Sequence, residues 1–170
     1  MKKVRKNNYL NLMLIIMGVV LMTIASSNLY KNHLLNKINN SYISKYVANI
    51  QINEIQNASV EFSPDTFIYI SYTGDQDIYN LEVKLRKVLR ENDLIDNFIY
   101  MDIANLIEEE NYLITLNKSL NLKEKEIKKL PGIIYYKDNE IIDIIDSQNG
   151  LIDSGDFIQL LEKYEIVSYD

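Results

Sequence analysis

The sequence predicts an α/β domain, a mixed sheet flanked by helices, preceded by an N-terminal transmembrane helix. Three observations predict it. An uncharged apolar run fills residues 12–25 behind a basic start. Two runs dense in β-branched and aromatic residues, TFIYISY (residues 66–72) and NFIYMDI (residues 97–103), flank a stretch whose apolar residues recur at helical spacing. Finally, GIIYYKDNEIIDII (residues 132–145) holds two short apolar runs split by four polar residues, as a hairpin does.

Composition bounds the rest. The 170 residues suit one domain of ordinary size plus an extra segment, and 47% hydrophobic content is enough for a core. The chain contains no cysteine, which excludes disulfides, thiol catalysis and cysteine-based metal sites. Its one histidine, His33, has no partner for a catalytic triad or a zinc site. Net charge is −6 but unevenly spread. Lys2, Lys3, Arg5 and Lys6 lie at the start, which leaves 14 basic against 24 acidic residues from residue 31 onward. An acidic body is a poor phosphate binder, so nucleic acid is not an expected partner.

The N-terminus reads as a membrane address. Residues 1–8 form a basic tail that stays cytoplasmic, because positive charge resists translocation. Residues 9–30 are a transmembrane anchor or a signal segment. A spanning helix needs about 20 largely apolar residues, so Asn11, Ser26 and Ser27 must be tolerated at its ends, with Tyr9 and Tyr30 at the interfaces. The alternative is cleavage after Thr23-Ile24-Ala25. Residues 31–41 are a polar spacer and residues 42–170 an extracytoplasmic domain.

Within that domain, Ile43, Tyr46, Val47 and Ile50 recur at helical spacing, whereas NIQINEIQN (residues 49–57) alternates as an edge strand would. Both readings stay open. SVEFSPD (residues 59–65) is a loop, with Pro64 excluding a helix. Residues 66–72 form a buried strand. After the turn, Ile78, Leu81, Leu85, Val88 and Leu89 make the apolar face of a helix, and Glu82, Lys84, Arg86, Lys87 and Arg90 its polar face. Residues 97–103 are a second strand. Tyr112, Leu113, Leu116 and Leu120 give a short helix, and Glu108, Glu109 and Glu110 are a solvated run at its start. The hairpin turns at Lys137, Asp138, Asn139 and Glu140. Phe157, Leu160, Leu161 and Tyr164 mark a closing helix, capped by Asp153 or Ser154. The order β-α-β, α, β-hairpin, α gives a parallel pair extended by antiparallel strands. Tyr69, Tyr100, Tyr135 and Tyr136 fall inside strands and read as core.

On these residues the chain resembles a thioredoxin-like domain over about residues 66–166. The signals are the strand, exposed turn and helix of residues 66–92, the segment IKKLPGIIYYKDNEIID (residues 127–143), and the closing helix. In that segment Pro131 matches the family's cis-proline and Ile127 the apolar residue four before it. Gly132 stands where a Thr is common, and Asn139 replaces the hairpin glycine while tolerating positive φ. The turn is most similar to that of the bacteriocin transport accessory proteins, membrane-anchored relatives of Gram-positive bacteria. Laid on the family's Cys-x-x-Cys motif, the chain has Asp75 and Ile78 in place of the two cysteines. Thiol–disulfide exchange needs a thiolate at a helix N-terminus. Asp75 supplies a helix cap there instead.

No catalytic residue, metal or cofactor is expected. Asp75, Asp77 and Asn80 fall short of a calcium loop, which needs more acids and a central glycine. An exposed turn is also the wrong place for a carboxyl acting as general acid. The resemblance implies a groove for an extended peptide, formed by Tyr72, Asp75, Gln76, Ile78, Tyr79, Pro131 and Gly132 and working through backbone hydrogen bonds. The expected function is a non-enzymatic, redox-inactive, membrane-anchored module that binds a peptide or membrane-protein partner, accessory to bacteriocin export or immunity. The rival reading is a structural subunit of a membrane complex with a vestigial active-site face.

Overall fold

The computed structural model describes residues 8–55, 64–122, 125–138 and 140–167. The chain divides into two units, Met1–Lys37 and Ile38–Asp170. The described part of the first is helix α1 (Asn8–Ile38), whose last residue opens the second unit. Thirty-one residues at 1.5 Å each make it about 45 Å long. It is long and apolar enough to cross a membrane. Leu12, Met13, Leu14, Ile15, Ile16 and Met17 expose apolar surface on every side of it. The helix continues through residues 31–38, which the sequence suggested as spacer.

The second unit is a five-stranded sheet in the order β1-β3-β2-β4-β5. Its strands are β1 (Ala48–Ile50), β2 (Asp65–Ser71), β3 (Phe98–Asp102), β4 (Gly132–Lys137) and β5 (Glu140–Asp146). β2 runs parallel to β3, with Tyr69 opposite Tyr100, and β1 pairs parallel with the other side of β3. β4 is antiparallel to β2 and β5 antiparallel to β4. A bulge leaves Ile142 unpaired where Tyr135 faces Asp143 and Tyr136 faces Ile141. Helices α2 (Gln76–Glu91), α3 (Tyr112–Ser119) and α4 (Ser154–Lys163) cover the sheet.

Strand alternation divides the core in two. Phe67, Tyr69, Phe98, Tyr100, Ile133 and Tyr135 face α2 and α4, where Leu81, Leu85, Leu89, Phe157 and Leu161 meet them. Phe157 packs edge-on against Phe67 and Phe98, at centroid distances of 5.2 and 5.5 Å. Ile68, Ile70, Met101, Ile134 and Tyr136 face the opposite side, where α3 contributes Leu116 and Leu120 follows it. The four strand tyrosines are buried.

Residues 43–50 resolve the ambiguity of their pattern. The helical spacing yields a single 3₁₀ turn, Ile43–Lys45, and the chain then enters the sheet edge as β1. β3 offers a free edge, and three residues of parallel pairing take the place of further helical turns. Ile43 and Val47 are buried while Tyr46 is exposed. At the hairpin, Lys137 pairs with Glu140, and Asp138 has a φ of +51°. Asn139 and the loop residues 59–63 lie outside the described residues. The cap of α4 is Asp153, whose carboxylate accepts from the amides of Gly155 and Asp156, while Asp156 accepts from the Asp153 amide.

Candidate functional site

The turn leaves the C-terminal end of β2 at Ser71 and reaches α2 at Gln76. Gly74 sits in it at a φ of +94°, a conformation that suits glycine. Asp75 is the N-cap of α2. Its Oδ1 accepts from the amides of Asp77 (2.7 Å) and Ile78 (3.2 Å), and its negative charge meets the positive end of the helix. Burial, followed by the nearby Asp75 carboxylate, raises the Tyr72 phenol and keeps it neutral. Gln76 Nε2 donates to Asn80 Oδ1 at 3.0 Å, and Gln76 Oε1 is buried without a partner among the described residues. Asp77 is exposed. Among the described residues no group of three or more His, Asp or Glu side chains could hold a metal ion.

The β2–β4 register brings the second half of the predicted groove to this turn. Ile70 pairs with Gly132, so Pro131 lies at the end of β2, where the turn departs. The Leu130–Pro131 bond is cis. Ser147 Oγ donates to the Pro131 carbonyl at 2.8 Å, and the Ser147 amide donates to the Lys129 carbonyl. Among the described residues, none hydrogen-bonds to the Leu130 amide or carbonyl. Gly132 is closely packed, since a Cβ there would stand 3.3 Å from the Ile145 carbonyl oxygen.

Exposure separates the seven predicted groove residues. Ile78, Pro131 and Gly132 are buried, and Tyr72, Asp75, Gln76 and Tyr79 are half-buried. Tyr79 packs edge-on against Tyr42 at 5.5 Å. A closed crevice without room for a water molecule is lined by Tyr72, Asp75, Ile78 and Tyr79, and its other wall is Ile38, Asn40, Ser41 and Glu82. Pro131 and Gly132 are not among its lining residues.

Glu82 corrects the helix reading. The sequence assigns it to the polar face of α2, yet it is 1% exposed. Its Oε2 accepts from Ser41 Oγ (2.9 Å), the Tyr42 amide (2.6 Å) and the Ile43 amide (3.2 Å). Its Oε1 has no partner among the described residues, nor do the buried hydroxyls of Tyr69 and Tyr100. Ser71 neighbours the Tyr69 hydroxyl and Ser41 that of Tyr100, but neither completes a hydrogen bond of good geometry. Burial raises the Glu82 carboxyl, the three donors on Oε2 oppose that rise, and Asp102 adds to it. Burial, with Glu82 nearby, drives the Tyr69 phenol well up. The signal was present in the spacing: residues 78, 81, 82 and 85 follow i, i+3, i+4, i+7, so position 82 belongs to the apolar stripe. Beside it, Arg86 Nη1 donates to the Tyr42 hydroxyl at 2.9 Å, and its guanidinium lies 3.6 Å from the Tyr46 ring centre.

Strand order, the capped turn and the adjoining proline define a thioredoxin-like fold in a chain that has no cysteine. Among solved structures the chain is similar to thioredoxin f2 of Chlamydomonas reinhardtii, with a TM-score of 0.50 and 10% identity, over 72% of this chain and 99% of that one. It is also similar to chloroplastic thioredoxin z (TM-score 0.47, 14% identity, 71% of this chain and 96% of that one). A further similar structure is the oxidized mitochondrial thioredoxin 3 of Saccharomyces cerevisiae (TM-score 0.43, 13% identity, 61% and 85%). No family profile and no curated protein matches the sequence. The thioredoxin f2 likeness establishes the fold and nothing further.

Proposed function

We propose that this chain is a redox-inactive, membrane-anchored binding module. It holds an extended peptide or a membrane-protein partner at the turn between β2 and α2, as an accessory to peptide export or immunity in a Gram-positive bacterium. The observation that carries this reading is the β2–β4 register, which keeps the loop of Leu130 and Pro131 beside the turn in a chain that has no cysteine. The Leu130 amide and carbonyl, without a hydrogen-bond partner among the described residues, support it, because an extended peptide is captured by main-chain hydrogen bonds that require no thiol. The apolar α1 supports attachment to a membrane, and the basic residues Lys2, Lys3, Arg5 and Lys6 before it support a domain on the outer side.

A second reading has its own support. Pro131 and Gly132 are buried, and the crevice under the turn is walled by the chain's own Ile38, Asn40 and Ser41. This is what a vestigial face would look like in a structural subunit that packs elsewhere. A photo-crosslinking residue at Gln76, and separately at Lys163 on α4, separates the two in intact cells. A specific partner captured only from Gln76 supports binding at the turn. Capture only from Lys163 contradicts it and favours the structural subunit.

A further inference from the structure

Residues 38–42, which open the second unit, lie on the candidate site as a ligand would. The Gly74 amide, in the middle of the turn, donates to the Ile38 carbonyl at 2.9 Å. Ile38 is 8% exposed and walls the crevice together with Tyr72, Ile78 and Tyr79. Asn39 and Asn40 are exposed to solvent. Ser41 and the Tyr42 amide close on Glu82, and the Tyr42 ring meets Tyr79 and Arg86. Only at Ile43, which is fully buried, does the chain join the main core. Residues 38–42 are therefore held by one apolar anchor and a set of polar and aromatic contacts, made chiefly to the turn and to α2, with Ser41 also beside Tyr100 of β3 and bonded to Ser44.

We propose that residues 38–42 are a releasable strap, an internal ligand that closes the turn site in cis. A partner segment of the same chemistry takes its place: an aliphatic residue followed three and four positions later by a serine and an aromatic residue. This rests on the reading of the turn as the binding site. Two features favour a strap over an ordinary piece of core. Its apolar burial is confined to Ile38, with Tyr42 half-buried. Its buried acceptor, Glu82, is only half satisfied, since Oε1 has no partner among the described residues. A ligand offering one more donor than the strap would complete that carboxyl.

The absence of native cysteine makes the test direct. Ile78→Cys reports opening of the crevice through its maleimide labelling rate in the full-length chain, and Leu89→Cys, in the core contacted by the same helix, reports general unfolding. Ile38→Asp with Ser41→Ala weakens the strap. The expected result is at least about a tenfold faster labelling at position 78, from loss of one buried aliphatic anchor, with no comparable change at position 89. A synthetic peptide NKINNSYISKY, which repeats residues 36–46, then restores protection of position 78, and a scrambled peptide does not. Equal acceleration at both positions would overturn the proposal, because the segment would then be an integral part of the fold. An unchanged rate at position 78, or no protection by the peptide, would overturn it as well. Labelling needs no partner, so these outcomes are read independently of any capture from Gln76.

Discussion

Asp75 and Glu82 do opposite work on the same helix. Asp75 caps α2 from outside, where charge is favoured, so Asp75→Ala costs about 1 kcal/mol and Asp75→Asn much less. Urea unfolding of the two variants checks this. Glu82 is buried, and its native carboxyl keeps its proton above the ordinary value of 4.5. Across that window the native state binds more protons than the unfolded one, so stability falls as pH rises from 4.5 through the raised native value. Glu82→Gln removes the slope, whereas Glu82→Leu leaves three donors unmet and costs a few kcal/mol. Unfolding midpoints measured between about pH 4.5 and 7 distinguish them. Asp143 has the opposite sign. Burial pushes it up, but hydrogen bonds from Lys163, Tyr164 and the Ile144 amide outweigh this and hold it below 3.8. Its contribution is present above 3.8 and is lost as pH falls through the lower native value.

At the scale of elements, the strands and helices were legible wherever the pattern was strong. TFIYISY and NFIYMDI became the parallel pair β2 and β3, and the apolar stripe from Ile78 to Leu89 became the buried face of α2. Leu85→Ala on that stripe should lower stability by about 2–5 kcal/mol, measurable by thermal or urea unfolding. Residues 43–50 were not legible, because one sequence fits both a helical spacing and an edge strand, and only the position of β3 decides. Of the candidate site, the cap at Asp75 and the placement of Pro131 could be read from sequence. The spacing places Glu82 on the buried stripe, but its role could not be read, because its donors, Ser41 and the backbone of residues 42 and 43, meet it only in the folded chain. For the same reason the closure of the crevice by Ile38 and Ser41 carried no signal in the linear sequence.

For the whole molecule, basic residues at one end, an apolar helix and an acidic body form one polarity. The full-length chain is expected to stay with the membrane fraction through an alkaline wash at its full mass. Release of a shorter form beginning after Ala25 would identify the segment as a cleaved signal instead. The body combines a sheet and helices found in thioredoxin f2 with a turn that lacks the thiol pair. Restoring that pair is the most direct test of whether the turn occupies a redox site stripped of its chemistry. Asp75→Cys with Ile78→Cys places thiols at the N-cap and three residues on. The expected outcome under mild oxidant is an intramolecular disulfide between positions 75 and 78, with the reduced thiol at position 75 titrating below the ordinary value of about 8.5 at the helix N-terminus. Two thiols that remain reduced under the same oxidant, or that pair only between molecules, would show that the turn lacks the geometry of that site.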